Sequence, residues 1–481
     1  MIFSSSFWKS LLAGTSGGTS IPAPLPSPNP RAIEDAEGLL TGATAAWQNN
    51  DMENADALMA QAVARHGTPE VLCRYATLLH HMGRSKAAYD LLFKTIAAAP
   101  WFMPAQTQLA RMIKMDRRAD SEAVRIEIAQ RRLLVAAMRR ALALDPFFNP
   151  NKFWESIAAK HERMLDDFGI NNFKRTVAHN YQNWLICSAE DSQWQGLRKL
   201  WQHEKFINPV LNTIEAVDDA GFIWEVDNPS YALSAPGALA VYKLATGILW
   251  EIALAQDKFE FLADFEESIV GNPIRLRRNG VLISQDTAHS ARELNTLFSV
   301  AKLSKTGRLT FAELGAGQGR LAEMIGRSTD HRYYIFDIAP TLAVSQWYIQ
   351  QLFPNEKIFT FRDFDSWNQI EEELNDSRFA FFTANQIKLM PKESVDVFIN
   401  ICSLMEMTTQ QIDYFLGRIS DVTRYVFLSK QWYEWDNPND HIHLSKDDFK
   451  LKQGFDLLHE QPDEIYKELF LQIWRRSARI E

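Results

Sequence analysis

The sequence predicts an α/β fold, with a doubly wound, seven-stranded mixed sheet over residues 301–481 preceded by all-α segments. Three observations predict it. Residues 311–319, Phe-Ala-Glu-Leu-Gly-Ala-Gly-Gln-Gly, form an apolar strand running straight into the turn Glu313-x-Gly315-x-Gly317-x-Gly319. A second apolar strand, 333–336, ends on Asp337, where a carboxylate at the carboxyl edge of a sheet can accept both hydroxyls of a ribose. From about residue 301, strands alternate with helices as a doubly wound sheet requires.

The chain has 481 residues and 46% hydrophobic content, enough for two or three domains with sizeable cores. A net charge of −9 argues against a general nucleic-acid footprint, and no Lys/Arg run suggests a local one. Cys73, Cys187 and Cys402 lie far apart without metal-ligand spacing, which fits a reducing cytoplasm and buried, inert thiols. Residues 1–31 are expected to form a flexible tail, because the apolar patch 7–12 is too short for a secretory segment and no Ala-x-Ala site follows. The apolar stretch 238–254 contains Lys243 and Glu251, which marks a core helix rather than a membrane span.

Residues 32–150 read as helices in a tetratricopeptide-like array. The segment 79–89 followed by Ala97-Ala98-Ala99-Pro100 has small residues at the helix crossing and a closing proline. An earlier copy, 47–67, aligns with it so that Ala55 matches Ala87, and Ala141 to Pro146 resembles a third repeat end. Such an array implies a protein partner; a plain helical bundle would imply none. Residues 151–300 are helical and aromatic-rich, with a loop-rich stretch at 271–286, and suit an acceptor-binding cap.

In the last part, a helix at 342–353 and a charged insert to residue 377 precede strands Phe379–Thr383 and Val395–Ile401. A helix at 409–420 buries Ile412, Phe415, Leu416 and Ile419 on one face. A strand at 425–429 and two late strands, 455–459 and 469–474, complete the sheet, the last two as an antiparallel hairpin.

The glycine spacing discriminates between nucleotides. A dinucleotide fingerprint has Gly-x-Gly-x-x-Gly, but here the third glycine comes one residue early and Arg320 holds its place. The form Glu-x-Gly-x-Gly-x-Gly resembles motif I of the Rossmann-like class I S-adenosylmethionine methyltransferases. Further segments resemble the bacterial sugar O-methyltransferase family over roughly residues 150–480: Asn172 to Arg175, Gly271-Asn272-Pro273, Ser284-Gln285-Asp286, Glu313 to Arg320, Phe336 to Leu342, Ile399 to Met407, Lys430-Gln431-Trp432 and Asn437-Pro438. His289 departs from the family pattern, where an asparagine is expected. The resemblance implies S-adenosyl-L-methionine as cofactor and a sugar hydroxyl of a surface glycan or its precursor as acceptor. The tetratricopeptide-like part lies outside it.

Methyl transfer to an alcohol needs the acceptor oxygen in line with the sulfonium methyl at about 3 Å. It also needs a base to take the hydroxyl proton. By the resemblance, Gly315, Gly317 and Gly319 lie under the cofactor's amino-acid end, with Glu313 near its ammonium, Asp337 on the ribose and Asn385 at the adenine edge. Glu313 as a mere turn cap, and Asn385 as a loop residue, are the plain alternatives. For the base, His441 and His443 follow the strand ending at Lys430 and are preferred; Glu406, Lys430 and Asp286 are rivals. Two histidines beside Asp440 have metal-ligand chemistry but no diagnostic spacing, and no metal is assigned. Trp432 and Trp435 could line an acceptor site, although most tryptophans fill cores. Two competing functions remain at this stage: an interaction protein whose α/β domain binds a nucleoside without chemistry, and a methyltransferase acting on protein or lipid.

Overall fold

The computed structural model describes residues 30–48, 51–82, 84–99, parts of 102–112, 122–176, 186–188, 191–202, 214–216, 238–437, 441–451 and 454–477. The expected tail, apart from Pro30 and Arg31, lies outside the described residues, as do Pro100, Pro438 and Asp440. The chain divides into two compact units, the first ending at Ser121 and the second beginning at Glu122.

The first unit holds helices α1 (Pro30–Gln48), α2 (Met52–His66), α3 (Pro69–His81) and α4 (Ser85–Ala98). Local chemistry sets their starts: Asp51 accepts the amide of Asn54, and Thr68 that of Val71, with Pro69 at the first helical position. Small residues pack between these helices: Ala55, Ala62, Ala76 and Ala88 are fully buried. On α4 the buried position is Ala88, one residue beyond the Ala87 that the repeat alignment matches to Ala55. Asp56 ties the hairpins together, accepting from Tyr75 and Arg84 at 2.9 Å each.

The third repeat end does not belong to this array. It closes helix α5 (Glu122–Ala143), which is part of the second unit, so the boundary falls at 121/122 rather than near 150. The reason is side-chain pairing and loop contact. Buried Arg131 joins Glu127 and Asp166 of α6 (Lys152–Phe168), while Asn385 donates to the Ala141 carbonyl at 2.9 Å.

Helices α7 (Ala238–Gln256) and α8 (Gln285–Ala301) follow. The region 271–286 is more ordered than its glycines suggest: Leu276–Arg278 pairs with Val281–Ile283, and Ser284 caps α8 by accepting from the Thr287 amide. Thus Ser284-Gln285-Asp286 is a helix start, not a loop. No described helix is long and apolar enough to cross a membrane.

The large sheet contains β1 (Thr310–Leu314), β2 (Arg332–Asp337), β3 (Ile358–Phe359), β4 (Phe379–Thr383), β5 (Val395–Ile401), β6 (Thr423–Trp432), β7 (Phe455–Pro462) and β8 (Leu469–Arg476). Their order is β7-β8-β6-β5-β1-β2-β4-β3, with β8 antiparallel to both neighbours and the rest of the ladder parallel. The five residues of β1 and seven of β5 are all buried, as strands covered on both faces must be. Helices α9 (Arg320–Ser328), α10 (Thr341–Leu352) and α11 (Thr409–Val422) connect the strands. Eight strands replace the expected seven because the charged insert hides β3, two residues long and too short to show a period.

Three segments separate in sequence, around Asn172, Gly271 and Ser284, meet in space. Asn272 donates to Asn172 at 2.8 Å, and the Lys174 amide donates to Gly271. A Cβ at Gly271 would fall 2.4 Å from the Phe173 ring, so only glycine fits. Buried Lys174 pairs with Glu267 and donates to Tyr348 at 2.7 Å; Glu267 accepts from Ser284 and Thr287.

Candidate functional site

A cavity opens where Leu314 of β1, Asp337 of β2, Ala384 after β4 and Ile401 of β5 end, the carboxyl edge at which open α/β sheets bind ligands. Its floor is the glycine turn. Gly315, Gly317 and Gly319 have φ of +74°, +60° and +88°. A Cβ on Gly315 would lie 2.3 Å from Ser403, whose hydroxyl donates to the Leu314 carbonyl; Asn400 donates to the same oxygen at 2.9 Å. A Cβ on Gly317 would meet nothing within 4 Å. The turn is thus braced from behind at Gly315 and bare at Gly317.

Asp337 closes this floor. Its carboxylate accepts the Gly317 amide at 2.9 Å and the Ile338 amide at 2.7 Å, one per oxygen, which leaves each oxygen a further lone pair. Burial pushes Asp337 up to about 7 against the pull of those two amides. Glu313 lines the same cavity and accepts from the Tyr333 phenol at 2.6 Å; burial raises it to about 7. The Thr341 hydroxyl, also in the lining, is a buried polar atom with no hydrogen-bond partner among the described residues.

The far wall comes from upstream of the sheet. Phe148, Asn151, Trp154 and Ile157, leading into and along α6, face Met407, Gln411 and Phe415. Edge-to-face contacts of Phe147 and Phe148 with Tyr414 and Phe415, centroids 5.2–5.8 Å apart, seat this segment on α11. Two hydrogen bonds fix Glu406: Asn151 donates to its carbonyl at 2.6 Å, and the Trp154 indole donates to its carboxylate at 3.1 Å. Burial raises Glu406 to about 8, against the indole's pull, and the nearby Asp337 carboxylate adds to the rise.

Of the residues expected from sequence, the cavity gathers Glu313, Gly315, Gly317, Asp337 and Glu406. The others do not line it, Gly319 among them, although it closes the same turn. Asn385 turns its amide to the Ala141 carbonyl, so it holds α5 rather than facing the cavity. Lys430 is buried between Glu293 at 3.0 Å and Asp463 at 2.7 Å; those carboxylates keep it charged, unfit to accept a proton. His441 and His443 are exposed on the hairpin Glu434–Asp436/His443–Ser445, where His443 pairs with Asp436 at 2.9 Å. The hairpin, not the strand end, decides where they go. Asp286 is buried behind the turn and accepts from Gln318 at 2.9 Å. Trp432 and Trp435 pack on each other outside the lining, with centroids 5.5 Å apart. Trp154 lines the cavity instead. Its sequence signal was weak, since nothing local in 151–168 points to residue 406.

The sheet order, the antiparallel β7–β8 hairpin and a glycine turn facing a strand-end carboxylate define the class I methyltransferase fold. The residues fit S-adenosylmethionine: a bare backbone at Gly317, a buried carboxylate with spare lone pairs at Asp337 and an unpartnered hydroxyl at Thr341. Among solved structures, the chain is similar to magnesium protoporphyrin IX methyltransferase of Synechocystis PCC 6803 with bound SAM, at 13% identity and TM-score 0.28, over 39% of this chain and 80% of that one. It is also similar to S-adenosylmethionine-dependent methyltransferases of Mesorhizobium loti (12% identity, TM-score 0.27, 38% of this chain and 97% of that one) and Aquifex aeolicus (14%, 0.25, 38% and 89%). No protein-family model matches the chain, and no curated protein matches it either.

Proposed function

We propose that the chain is an S-adenosylmethionine-dependent O-methyltransferase, with Glu406 as the acceptor base. The observation that carries this is a carboxylate, Glu406, in the lining of the same cavity as the glycine turn and Asp337. The glycine turn would hold the cofactor's amino-acid end and Asp337 its ribose; bound there, the cofactor supplies an electrophilic methyl group. Glu406 would take the acceptor's hydroxyl proton. Its raised pKa suits it, since a base near the working pH accepts a proton most effectively. Phe148, Trp154, Met407 and Phe415, interspersed with Asn151 and Gln411, would pack the apolar face of a hydroxylated acceptor and hydrogen-bond its rim. A sugar hydroxyl, the acceptor implied by the family resemblance, suits this mixture.

The test is calorimetry with S-adenosylhomocysteine, followed by transfer of labelled methyl to a glycan-containing cell-envelope fraction. Asp337→Ala is expected to lose about 1.5–3 kcal/mol of S-adenosylhomocysteine affinity, the size of a hydrogen bond to a charged group. Unchanged affinity would remove the ribose assignment. Label appearing in protein or lipid rather than glycan would replace the sugar acceptor while keeping the chemistry.

A further inference from the structure

Helix α9 opens on an arginine, against the usual electrostatics. The first turn of a helix carries partial positive charge and disfavours a cation. Arg320 nevertheless stands there, largely buried, in the cavity lining beside Glu313 and the glycine turn. What offsets the cost is α8. Arg320 Nη1 donates to Glu293 Oε2 at 2.7 Å and to Ser290 Oγ at 2.9 Å. Burial alone would raise Glu293, but Arg320 and Lys430 outweigh it and hold the carboxyl at about 2. Glu293 is therefore an ionised, immobile partner.

That grip uses one nitrogen. Nε and Nη2 of Arg320 make no hydrogen bond among the described residues, and neither is a buried, sealed-off atom. A guanidinium so held presents the rest of its planar donor set to a carboxylate. Glu313 supplies a carboxyl in the same lining. Free guanidinium donors and a carboxyl side by side in the lining match the two ends of a zwitterion, whose carboxylate accepts and whose ammonium donates.

We propose that Arg320 anchors the α-carboxylate of the cofactor's amino-acid end, and that Glu293 is the positioning residue that holds Arg320 in place. The inference rests on the cofactor reading above and adds what recognises the end of the molecule remote from the nucleoside. It also gives α8, from the region before the sheet, a part in cofactor recognition through Glu293.

The experiment is calorimetry on the full chain with two ligands. S-Adenosylhomocysteine carries the amino-acid end; 5′-methylthioadenosine has the same nucleoside and sulfur without it. Arg320→Met is expected to weaken S-adenosylhomocysteine by about tenfold to a hundredfold and to leave methylthioadenosine within about twofold. Glu293→Gln is expected to show the same selectivity with a smaller loss. Arg320→Lys keeps a charge opposite Glu293 and covers the case where the Met variant fails to fold, checked by thermal melting; about a three- to tenfold selective loss is expected, because a lysine lacks the bidentate fork. Equal weakening of both ligands, or of neither, would overturn the assignment. If the wild type binds neither nucleoside, the cofactor reading itself fails and this inference falls with it.

Discussion

Two groups of buried carboxylates are treated in opposite ways. Glu293 and Asp463 are clasped by Arg320 and Lys430; despite burial, both are held well below the ordinary carboxylate range. Glu313, Asp337 and Glu406 accept instead from a phenol, two backbone amides and an indole, and burial lifts all three. Neutral donors cannot offset desolvation as a cation can. The first group is architecture. The second lines the cavity, where carboxyls titrating near neutrality can exchange protons or accept a ligand's donors.

The largest effect should come from the base. Glu406→Gln keeps the shape and removes proton acceptance, so turnover is expected to fall about two to four orders of magnitude with S-adenosylhomocysteine affinity nearly unchanged. Near-wild-type turnover would dissolve the contrast between the two groups. Next is the architectural side. Lys430→Met strands Glu293 and Asp463 without their shared cation, and denaturant unfolding should show a loss of about 3–5 kcal/mol. A neutral result would mean the cluster is not structural.

A subtler measurement sharpens the comparison. Trp154→Phe removes an N–H that stabilises the Glu406 carboxylate, so the pKa governing turnover should move up by about one unit. The sign follows from the donor: losing it favours the protonated acid, which cannot accept a proton. Turnover should therefore fall at pH 7 and recover at higher pH. A downward shift would contradict the assignment. The smallest effect is expected at the exposed hairpin. His441→Ala and His443→Ala should leave turnover and its pH profile unchanged, and stability within about 0.5 kcal/mol. A lost alkaline or acidic limb in either variant would restore a histidine base.

The cofactor floor was legible because its chemistry is local. A strand, a glycine turn and a strand-end acid lie within residues 311–337, and positive φ with bare backbone is a demand that glycine alone answers. The core strands were legible for the same reason, since a strand buried on both faces is a continuous apolar run. By itself, then, the sequence determined the α/β class, the position of the glycine turn, Asp337 as its partner and Glu406 as a rival for the base. The tertiary structure decided which of those rivals lines the cavity, because position along the chain does not say which way a strand-end residue faces. After β6, the hairpin Glu434–Asp436/His443–Ser445 carries His441 and His443 to the surface. After β5, a single short turn at Leu404–Glu406 leaves Glu406 at the cavity. Its partner Trp154 is 252 residues away in sequence, and Arg320 meets Glu293 across 27. Pairings of that span depend on how helices pack on the sheet, and no local pattern encodes them.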